Sequence, residues 1–381
     1  MKPTDSHPRG ARHLYVHLPF CAHRCGYCDF VTLVGRDEQH DVYVDALLAE
    51  LELERGELAP NVETVYLGGG TPTLTRPDAL ARLLAGLPPA DEVTVEANPE
   101  TVTPDLARLL RGAGVTRISL GAQSFRPHLL EVLERRARPE DVRRAFYHLR
   151  DAGFDNVSLD LIYGIPGQSA ADLERDLADV LALEPEHVSA YELEAKPGTR
   201  FTHAHGAELA RQAEAMESYY ESVVGTLSAA GYRWYETANF CRAPESAGGR
   251  DLRARHNLGY WLGRDYLGIG VGAVSTIGDA RRRNTPRLSL YLRALGRGQA
   301  PPRELEVVKP ATRRVERVML GLRLDEPLPV AGLEDALDPE GLARVESLGL
   351  ARRARTLAGQ TLALTARGRL LGDGVTAELL A

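Results

Sequence analysis

The chain has 381 residues, of which 44% are hydrophobic and 26% charged, an ordinary composition for a globular protein with a sizeable core. Its formal net charge of −7 argues against non-specific nucleic-acid binding, which requires a basic surface that neutralises phosphates. Residues 1–13 contain no apolar run typical of a secretory signal, and no stretch of about 18 apolar residues could span a membrane. We therefore expect a cytoplasmic protein with one large domain and a smaller one.

Apolar runs of strand length alternate with helical segments over the first 200 residues. Strands are expected at residues 14–17, 64–67, 93–96, 117–120, 157–161 and 187–191. Residues 41–55 are good helix formers, residues 172–183 repeat apolar side chains at helical spacing, and Gly112 and Gly153 fit helix ends. This alternation predicts βαβ units and a parallel sheet. Six units predict an α/β fold with a partial (β/α)6 barrel of the TIM type, short of a closed eight-stranded barrel.

The rest of the chain divides into two regions. Residues 206–302 are glycine-rich, aromatic and less regular, and we expect them to complete the barrel core of residues 1–205. From about Pro301 the pattern changes to helices, with one short strand and turn predicted at residues 362–365. We therefore predict a small helix-rich C-terminal domain over residues 303–381, of winged-helix type.

Three of the four cysteines form a C-x3-C-x2-C motif at Cys21, Cys25 and Cys28. A disulfide framework would use paired cysteines spread over a short secreted chain, and a structural zinc site would use four ligands. Three thiolates on one loop can instead ligate three irons of a [4Fe–4S] cluster and leave the fourth iron open. A zinc loop completed by His17 or His23 is the alternative.

Polar segments follow the first five predicted strands. The cysteine loop follows the first strand, a Gly-Gly-Gly-Thr-Pro segment at 68–72 follows the second, and Glu96, Gln123 and Asp160 end or follow the next three. The carboxyl ends of parallel strands meet at one edge of a sheet, where ligands bind. Glycines let a backbone approach a ligand closely, although this segment alone could equally be a tight loop. We therefore predict one ligand site beside the cysteine loop.

Seven segments together resemble the oxygen-independent coproporphyrinogen III oxidase family, a branch of the radical S-adenosylmethionine (SAM) superfamily. They are YVHLPFCAHRCGYCDF, YLGGGTPT, VEANPE, SLGAQSF, LDLIYGIPGQ, RHNLGYW and YLGIGVGAVS. The resemblance runs from about Tyr15 to the C-terminus. It implies a radical SAM barrel with the family's C-terminal helical domain, and a cluster on the three cysteines whose open iron binds exchangeable SAM.

The same resemblance implies which side chains hold SAM. The matching positions are Tyr15, Tyr27, Gly70, Thr71, Glu96, Gln123, Arg135 and Asp160. This chain departs from the family at one point, because Ala137 takes the place of a histidine in the usual Arg-x-His segment. Arg135 keeps the family's spacing from Gln123, and Arg136 is the alternative.

Two branches of the family differ around the cluster and in one later motif. The true oxidase removes carboxyl groups from coproporphyrinogen III, and it has a long N-terminal extension and a further cysteine where this chain has Phe30. Here only 20 residues precede the motif. The second branch is thought to bind heme and pass it to respiratory proteins. Its H-N-x-x-Y-W signature is matched at residues 256–261, which links His256 to heme. A core histidine beneath aromatic rings is the alternative for His256.

We therefore expect a heme chaperone that uses a [4Fe–4S] cluster, SAM and heme. Its expected partner is a heme-acceptor protein, with respiratory proteins as candidates and hence transient contact with a membrane protein. The alternatives are an oxygen-independent coproporphyrinogen III dehydrogenase and a zinc-binding regulatory protein. Cys241 is either a second heme ligand or a small buried residue. The arginines at 281–283 meet heme propionates or an acidic partner, or form a solvated basic loop.

Overall fold

The computed structural model describes residues 10–194, 200–357 and 359–380. The strands are β1 (His13–Leu18), β2 (Phe20–Cys21), β3 (Leu33–Val34), β4 (Val62–Gly69), β5 (Ala90–Ala97), β6 (Arg117–Gln123), β7 (Val157–Tyr163), β8 (His187–Glu192), β9 (Tyr232–Glu236), β10 (Asn239–Arg242), β11 (Tyr266–Ile269), β12 (Val274–Ile277), β13 (Ala280–Asn284), β14 (Arg303–Val307), β15 (Leu328–Pro329), β16 (Ala351–Thr356) and β17 (Gly359–Leu364). The helices are α1 (His40–Glu54), α2 (Pro77–Gly86), α3 (Pro104–Gly112), α4 (Pro127–Val132), α5 (Pro139–Asp151), α6 (Ala170–Leu183), α7 (Arg200–Gln212), α8 (Met216–Ala229), α9 (Arg255–Trp261), α10 (Leu288–Leu295), α11 (Pro310–Gly321), α12 (Pro339–Ser347), α13 (Ala366–Leu370) and α14 (Gly372–Leu379).

A parallel core forms the middle of a 12-stranded sheet. The strand order is β14-β13-β12-β11-β1-β4-β5-β6-β7-β8-β10-β9. The strands from β11 to β8 in this order all run parallel. The six predicted strands lie within β1, β4, β5, β6, β7 and β8, and helices connect them. The prediction of an α/β fold built on a partial (β/α)6 barrel is therefore confirmed.

The connecting helices cover the outside of the sheet with apolar side chains. Helix α6 begins with a capping box, in which Ser169 accepts a hydrogen bond from the Asp172 backbone and the Asp172 carboxylate accepts one from the Ser169 backbone. Its residues Leu173, Leu177 and Val180 are buried in the main apolar cluster. Each such side chain contributes about 1.5–3 kcal/mol through burial, so this face fixes the helix on the sheet.

The other face of the strands is polar and lines a cavity. On β6, Ile118, Leu120 and Ala122 belong to the main apolar cluster, whereas the alternate side chains at 117, 119 and 123 line the cavity. Neighbouring side chains of a strand point to opposite faces, so one strand serves both layers. The barrel core therefore combines an apolar outer layer with a polar interior.

Residues of the region 206–302 extend both edges of the parallel core. Strands β10 and β9 add antiparallel to β8, and strands β11, β12 and β13 continue the sheet beyond β1. The buried carboxylate of Glu50 on α1 accepts hydrogen bonds from Gly270, Asn284, Tyr291 and Arg303. Because a buried carboxylate is stable only when it is paired and hydrogen-bonded, this network holds the extension against α1.

The C-terminal residues form a smaller unit with its own core. Strand β14 pairs with β13 in the large sheet, so residues 303–307 belong to that sheet. From Pro310, helices α11–α14 and the antiparallel sheet β15-β17-β16 enclose a second apolar cluster. Asp325 accepts two hydrogen bonds from Arg233 of β9, at 2.7 and 3.0 Å, and connects this unit to the barrel. We propose that the C-terminal domain begins near Pro310; the divisions at 205 and 302 stay predictions.

No helix among the described residues is both long and apolar enough to cross a membrane.

Candidate functional site

The three clustered cysteines line one cavity of about 500 Å³ at the carboxyl ends of the parallel strands. Cys21 ends β2, and Cys25 and Cys28 lie in the loop that leads to β3. All three are free, half-buried thiols. The Cys28 N–H donates to the Cys25 carbonyl at 3.2 Å, and the Cys21 Sγ lies 3.4 Å from the Thr71 hydroxyl. Burial raises the pKa of the Cys21 and Cys28 thiols, which iron ligation would overcome.

The donor set fits an iron–sulfur cluster better than a single zinc ion. Within residues 10–194, 200–357 and 359–380, no three His, Cys, Asp or Glu side chains converge on one metal position. His17 uses both ring nitrogens, one with the Tyr15 hydroxyl at 3.0 Å and one with the Val31 carbonyl at 2.8 Å. His23 lies 3.6 Å from the Glu134 carboxylate. His17 is therefore not available as the fourth ligand of a zinc ion, whereas three spaced thiols around a cavity suit several irons.

Arg135 lies in the cavity wall next to the cysteine loop. Its Nη2 donates to the Asn98 side chain at 3.0 Å and to the Gly121 carbonyl at 2.8 Å. Its Nη1 lies 3.8 Å from the Cys25 Sγ. Arg136, the alternative at this position, is exposed. The geometry thus brings the guanidinium of Arg135, with the amide of Asn98, to the cluster side of the cavity.

Glu96 is a half-buried carboxylate held in a fixed orientation. It accepts hydrogen bonds from the Tyr66 hydroxyl at 2.8 Å and from the Gly69 N–H at 3.0 Å. Gly69 has φ +112°, and a Cβ there would lie 2.5 Å from the His17 ring, so only glycine fits at this point of the loop. Burial raises the pKa of Glu96. A cation bound in the cavity would compensate this desolvation.

Asp160 on β7 and Gln123 on β6 also line the cavity. Asp160 accepts hydrogen bonds from Ser119 at 2.9 Å and from Ser158 at 3.2 Å, and burial raises its pKa. Gln123 ends β6 with φ +65°, where the pairing with β7 shifts register. A left-handed conformation is costly for glutamine and is concentrated at functional sites, so it marks this position as part of the site.

His256 is buried beneath the cavity, with both ring nitrogens in use. Nδ1 lies 2.7 Å from the Thr64 hydroxyl, and Nε2 lies 2.9 Å from the Tyr260 hydroxyl. Its ring stacks on Tyr66 with 5.0 Å between centroids. The side chain is 1% exposed, and burial lowers its pKa to about 3. This is the arrangement of a core histidine, while the adjacent Asn257 lines the cavity.

Comparison with known proteins identifies the family. Residues 15–180 match the model of the Radical SAM superfamily. The protein named Heme chaperone HemW of Mycobacterium tuberculosis (strain H37Rv) is 40% identical over 392 aligned residues, which cover 100% of this chain and 97% of that protein. This chain belongs to the HemW family.

Two further comparisons agree with this membership. Heme chaperone HemW of Bacillus subtilis is 32% identical, with 96% of this chain and 98% of that protein covered. A solved structure titled "Coproporphyrinogen III oxidase (HemN) from Escherichia coli is a Radical SAM enzyme" superposes with a TM-score of 0.79 at 24% identity, covering 98% of this chain and 91% of that one. It shows that the fold is shared along nearly the whole chain. Membership of the HemW family and the radical SAM fold are therefore confirmed.

The cavity brings together most of the residues that the sequence predicted. Its lining includes Tyr27, Gly70, Thr71, Glu96, Gln123, Arg135 and Asp160, with the three cysteines. Tyr15 is absent from the described lining, as is His256. The Tyr15 ring packs on the Tyr66 ring, with 6.2 Å between centroids. Tyr66 lines the cavity, so Tyr15 contacts a lining residue.

Sequence reasoning missed several polar residues of the lining. They are Tyr66, Asn98, Arg117, Ser119 and Ser189. All except Ser189 lie at an even spacing from a predicted site residue on the same chain segment, as Arg117 and Ser119 do from Gln123. The alternation of polar and apolar residues along the predicted strands was the signal for the strand residues among them.

The structure also decides between the alternatives for Cys241. Cys241 is buried against Tyr235, and burial raises its pKa to about 12, which agrees with the interpretation as a small buried residue.

The arginines at 281–283 lie in β13, so the expectation of a loop is wrong. Arg281 pairs with Glu316 at 2.8 Å and Arg282 with Glu54 at 3.5 Å, and these pairings secure the edge of the sheet.

Substitution of each clustered cysteine tests the cluster assignment. In Cys21→Ser, Cys25→Ser and Cys28→Ser, we expect bound iron and sulfide to fall far below the roughly four of each per chain that a [4Fe–4S] cluster contains. Chemical analysis after anaerobic reconstitution measures both elements. Cys241→Ser is the matched control and retains the full content. A full complement in all three variants would contradict the assignment.

The pH dependence of the free energy of unfolding tests the burial of His256. An unfolded histidine has a pKa of about 6.5, whereas burial lowers the pKa of His256 to about 3. Between pH 7 and 5 the unfolded chain gains a proton here and the folded chain does not, so stability falls by about 2 kcal/mol from this group. His256→Phe is less stable at pH 7 but lacks this part of the decline. Urea unfolding at both pH values measures the difference; identical pH dependence in the two proteins would refute it.

Proposed function

We propose that this chain is a heme chaperone, which binds heme and a [4Fe–4S] cluster with SAM and transfers heme to an acceptor protein. The observation that carries the proposal is similarity along the whole chain to proteins named Heme chaperone HemW, including 40% identity over 97% of the Mycobacterium tuberculosis protein. The cavity supports it, because thiols, carboxylates and arginines line one volume. The acceptor, its predicted respiratory nature and the cytoplasmic location stay predictions.

In this proposal the cysteine loop holds the cluster at the rim of the cavity. The Sγ atoms of Cys21, Cys25 and Cys28 would ligate three irons, and the fourth iron would be left for SAM. When bound, the cluster supplies electrons for the reductive chemistry of SAM. The Thr71 hydroxyl beside the Cys21 Sγ and the Arg135 guanidinium near the Cys25 Sγ place polar groups next to the sulfurs. Such neighbours stabilise the negative charge of thiolates.

The cavity walls offer complementary charges to the methionyl end of SAM. Glu96, already held by Tyr66 and Gly69, has remaining acceptor positions for an ammonium group. Arg135 and Asn98 provide donors suited to a carboxylate on the cysteine side. Gln123 and Asp160 provide further polar groups in the same cavity. In this proposal Glu96 would hold the amino group of SAM, and Arg135 with Asn98 would hold its carboxylate.

Phe30 favours heme handling over porphyrinogen decarboxylation. It stands at the position where the oxidase branch of the family has a further cysteine, and it offers no thiol. The ring is 61% exposed and lines the cavity next to Cys28. His256 stays a predicted heme-linked residue. To ligate iron, it would have to lose its hydrogen bond to either Thr64 or Tyr260.

A comparison of two tetrapyrroles tests the function. Anaerobically reconstituted protein is given hemin or coproporphyrinogen III, the latter with SAM and a reductant. We expect stoichiometric hemin binding by absorbance titration and no formation of protoporphyrinogen by chromatography. Turnover of coproporphyrinogen would establish the dehydrogenase alternative and defeat the proposal. His256→Ala is included, since selective loss of hemin binding in that variant would assign His256 as a ligand.

The assignment of Arg135 to SAM is tested against its neighbour. Removal of a hydrogen bond to a charged group costs about 1.5–3 kcal/mol, so Arg135→Gln should weaken SAM binding about 10- to 100-fold. Arg136→Gln, with an exposed side chain, should bind SAM as the wild type does. Equilibrium dialysis on reconstituted proteins with equal iron content measures both affinities. Equal binding by Arg135→Gln, or a loss only in Arg136→Gln, would shift the assignment.

A further inference from the structure

A second and larger cavity lies beside the cluster cavity. Its volume is about 1070 Å³, and we call it the C-terminal cleft. One side is formed by the ends of β7 and β8 with Tyr220 of α8, and the other by residues of α12, α13 and α14. Residues 191–194 line both this cleft and the cluster cavity, so the two are neighbours. The volume is at the upper end of the range of about 300–1,000 Å³ for small-molecule sites.

The cleft presents apolar surface that is still accessible to water. Leu348 is 55% exposed and Leu371 is 41% exposed, and both line the cleft together with Leu350. Two tyrosine rings, Tyr163 and Tyr220, also line it and stack nearly parallel at 6.3 Å between centroids. Apolar and aromatic side chains around a concave volume suit a large, flat, apolar ligand.

One arginine of the cleft, Arg369, forms no ion pair with any of the described residues. Arg369 donates from Nη1 to the Trp234 carbonyl at 2.8 Å and lies over the Trp234 ring at 3.7 Å. Its Nε and Nη2 are buried and have no hydrogen-bond partner within the described part of the chain. The other cleft arginines differ, because Arg323 pairs with Glu236 and Arg344 with Glu378. A buried, unpaired guanidinium is costly, and an entering carboxylate would relieve that cost.

The carboxylates of the cleft do not satisfy Arg369. Glu192 lies near Glu194 and Asp373, and burial together with these two neighbours raises its pKa. Burial lowers the pKa of Arg369, and the carboxylates that act on it, Asp325 and Glu236, lie outside the lining of the cleft. Arg369 is thus the cation that remains for an acidic group of a ligand.

We propose that the C-terminal cleft is the heme site, with the macrocycle against the leucine and tyrosine side chains and one propionate paired with Arg369. This inference rests on the proposed heme-chaperone function and adds the place of binding. It locates heme next to the SAM cavity, with residues 191–194 as a common wall, and it does not use His256. A propionate and a guanidinium form a charge-assisted pair that an esterified propionate cannot form.

The test combines a change in the protein with a change in the ligand. Full-length reconstituted wild type, Arg369→Gln and Arg367→Gln are each titrated anaerobically with hemin and with hemin dimethyl ester. Arg367 is exposed on the same helix, α13, and is the matched control. We expect wild type and Arg367→Gln to prefer hemin over the ester by about tenfold or more. Arg369→Gln should lose about tenfold in hemin affinity and bind both ligands equally.

The outcomes separate this inference from the function on which it rests. If the wild type binds hemin but Arg369→Gln retains both its affinity and its preference, the cleft assignment fails and the function stands. If the wild type binds no hemin, the proposed function fails as well.

A second pair of variants covers the case in which Arg369→Gln does not fold. Leu371→Glu places a charge in the cleft, whereas Leu357→Glu places one on an exposed turn. We expect only Leu371→Glu to weaken hemin binding. Equal binding by both would also overturn the assignment.

Discussion

The structure depends on the requirement that the carboxylates inside the partial barrel accept hydrogen bonds. Strand β5 shows how this requirement joins fold and site. Glu92 accepts hydrogen bonds from the backbone N–H groups of Arg255 and His256, at the first turn of α9, where a carboxylate also meets the positive end of the helix dipole. Four residues further along the same face, Glu96 points into the cluster cavity. One strand thus anchors α9 with one carboxylate and equips the site with another.

Helix α9 also supports the cluster cavity, although its His256 does not line that cavity. His256 supports the ring of Tyr66 from below, and Tyr66 in turn donates to Glu96. The family signature at 256–261 therefore acts on the site at least through packing, whatever further role it has with heme. Since interiors are closely packed, a change in the His256 ring would be transmitted to the Glu96 carboxylate. Such a residue positions the site without touching the ligand.

The sequence predicted the parallel core well because its signals are local. Each of the six strands is an apolar run bounded by turn residues, and the polar groups at the strand ends come together through topology alone. The cysteine spacing is equally local. The edge strands were harder to predict: β11 contains Gly268, whose Cα is so close to the Val274 carbonyl that a Cβ would lie 2.1 Å from it. This close approach is a tertiary contact. The sequence alone shows only a glycine-rich segment there.

Non-local partnerships account for the other differences. Nothing near Arg135 in the sequence indicates that Asn98 and the Gly121 carbonyl will hold its guanidinium. The arginines at 281–283 read as a basic loop because their carboxylate partners, Glu54 and Glu316, are distant in the chain. The sequence around Arg369 likewise does not show that two of its nitrogens lack a hydrogen-bond partner among the described residues. A sequence shows which charges exist, but whether each is paired after folding depends on the whole fold.

Residues 191–194 give the two cavities a physical connection. The backbone of Leu193 is fixed to β7 by its hydrogen bond to the Tyr163 carbonyl at 2.8 Å, and Tyr163 itself lines the C-terminal cleft. A ligand in the cleft would exclude water from one side of this segment, and a ligand in the cluster cavity would exclude it from the other. Electrostatic interactions across the segment become stronger when water is excluded, so we expect occupation of one cavity to change the binding free energy in the other. A shared wall is sufficient for such coupling, and no long-range path through the barrel is required.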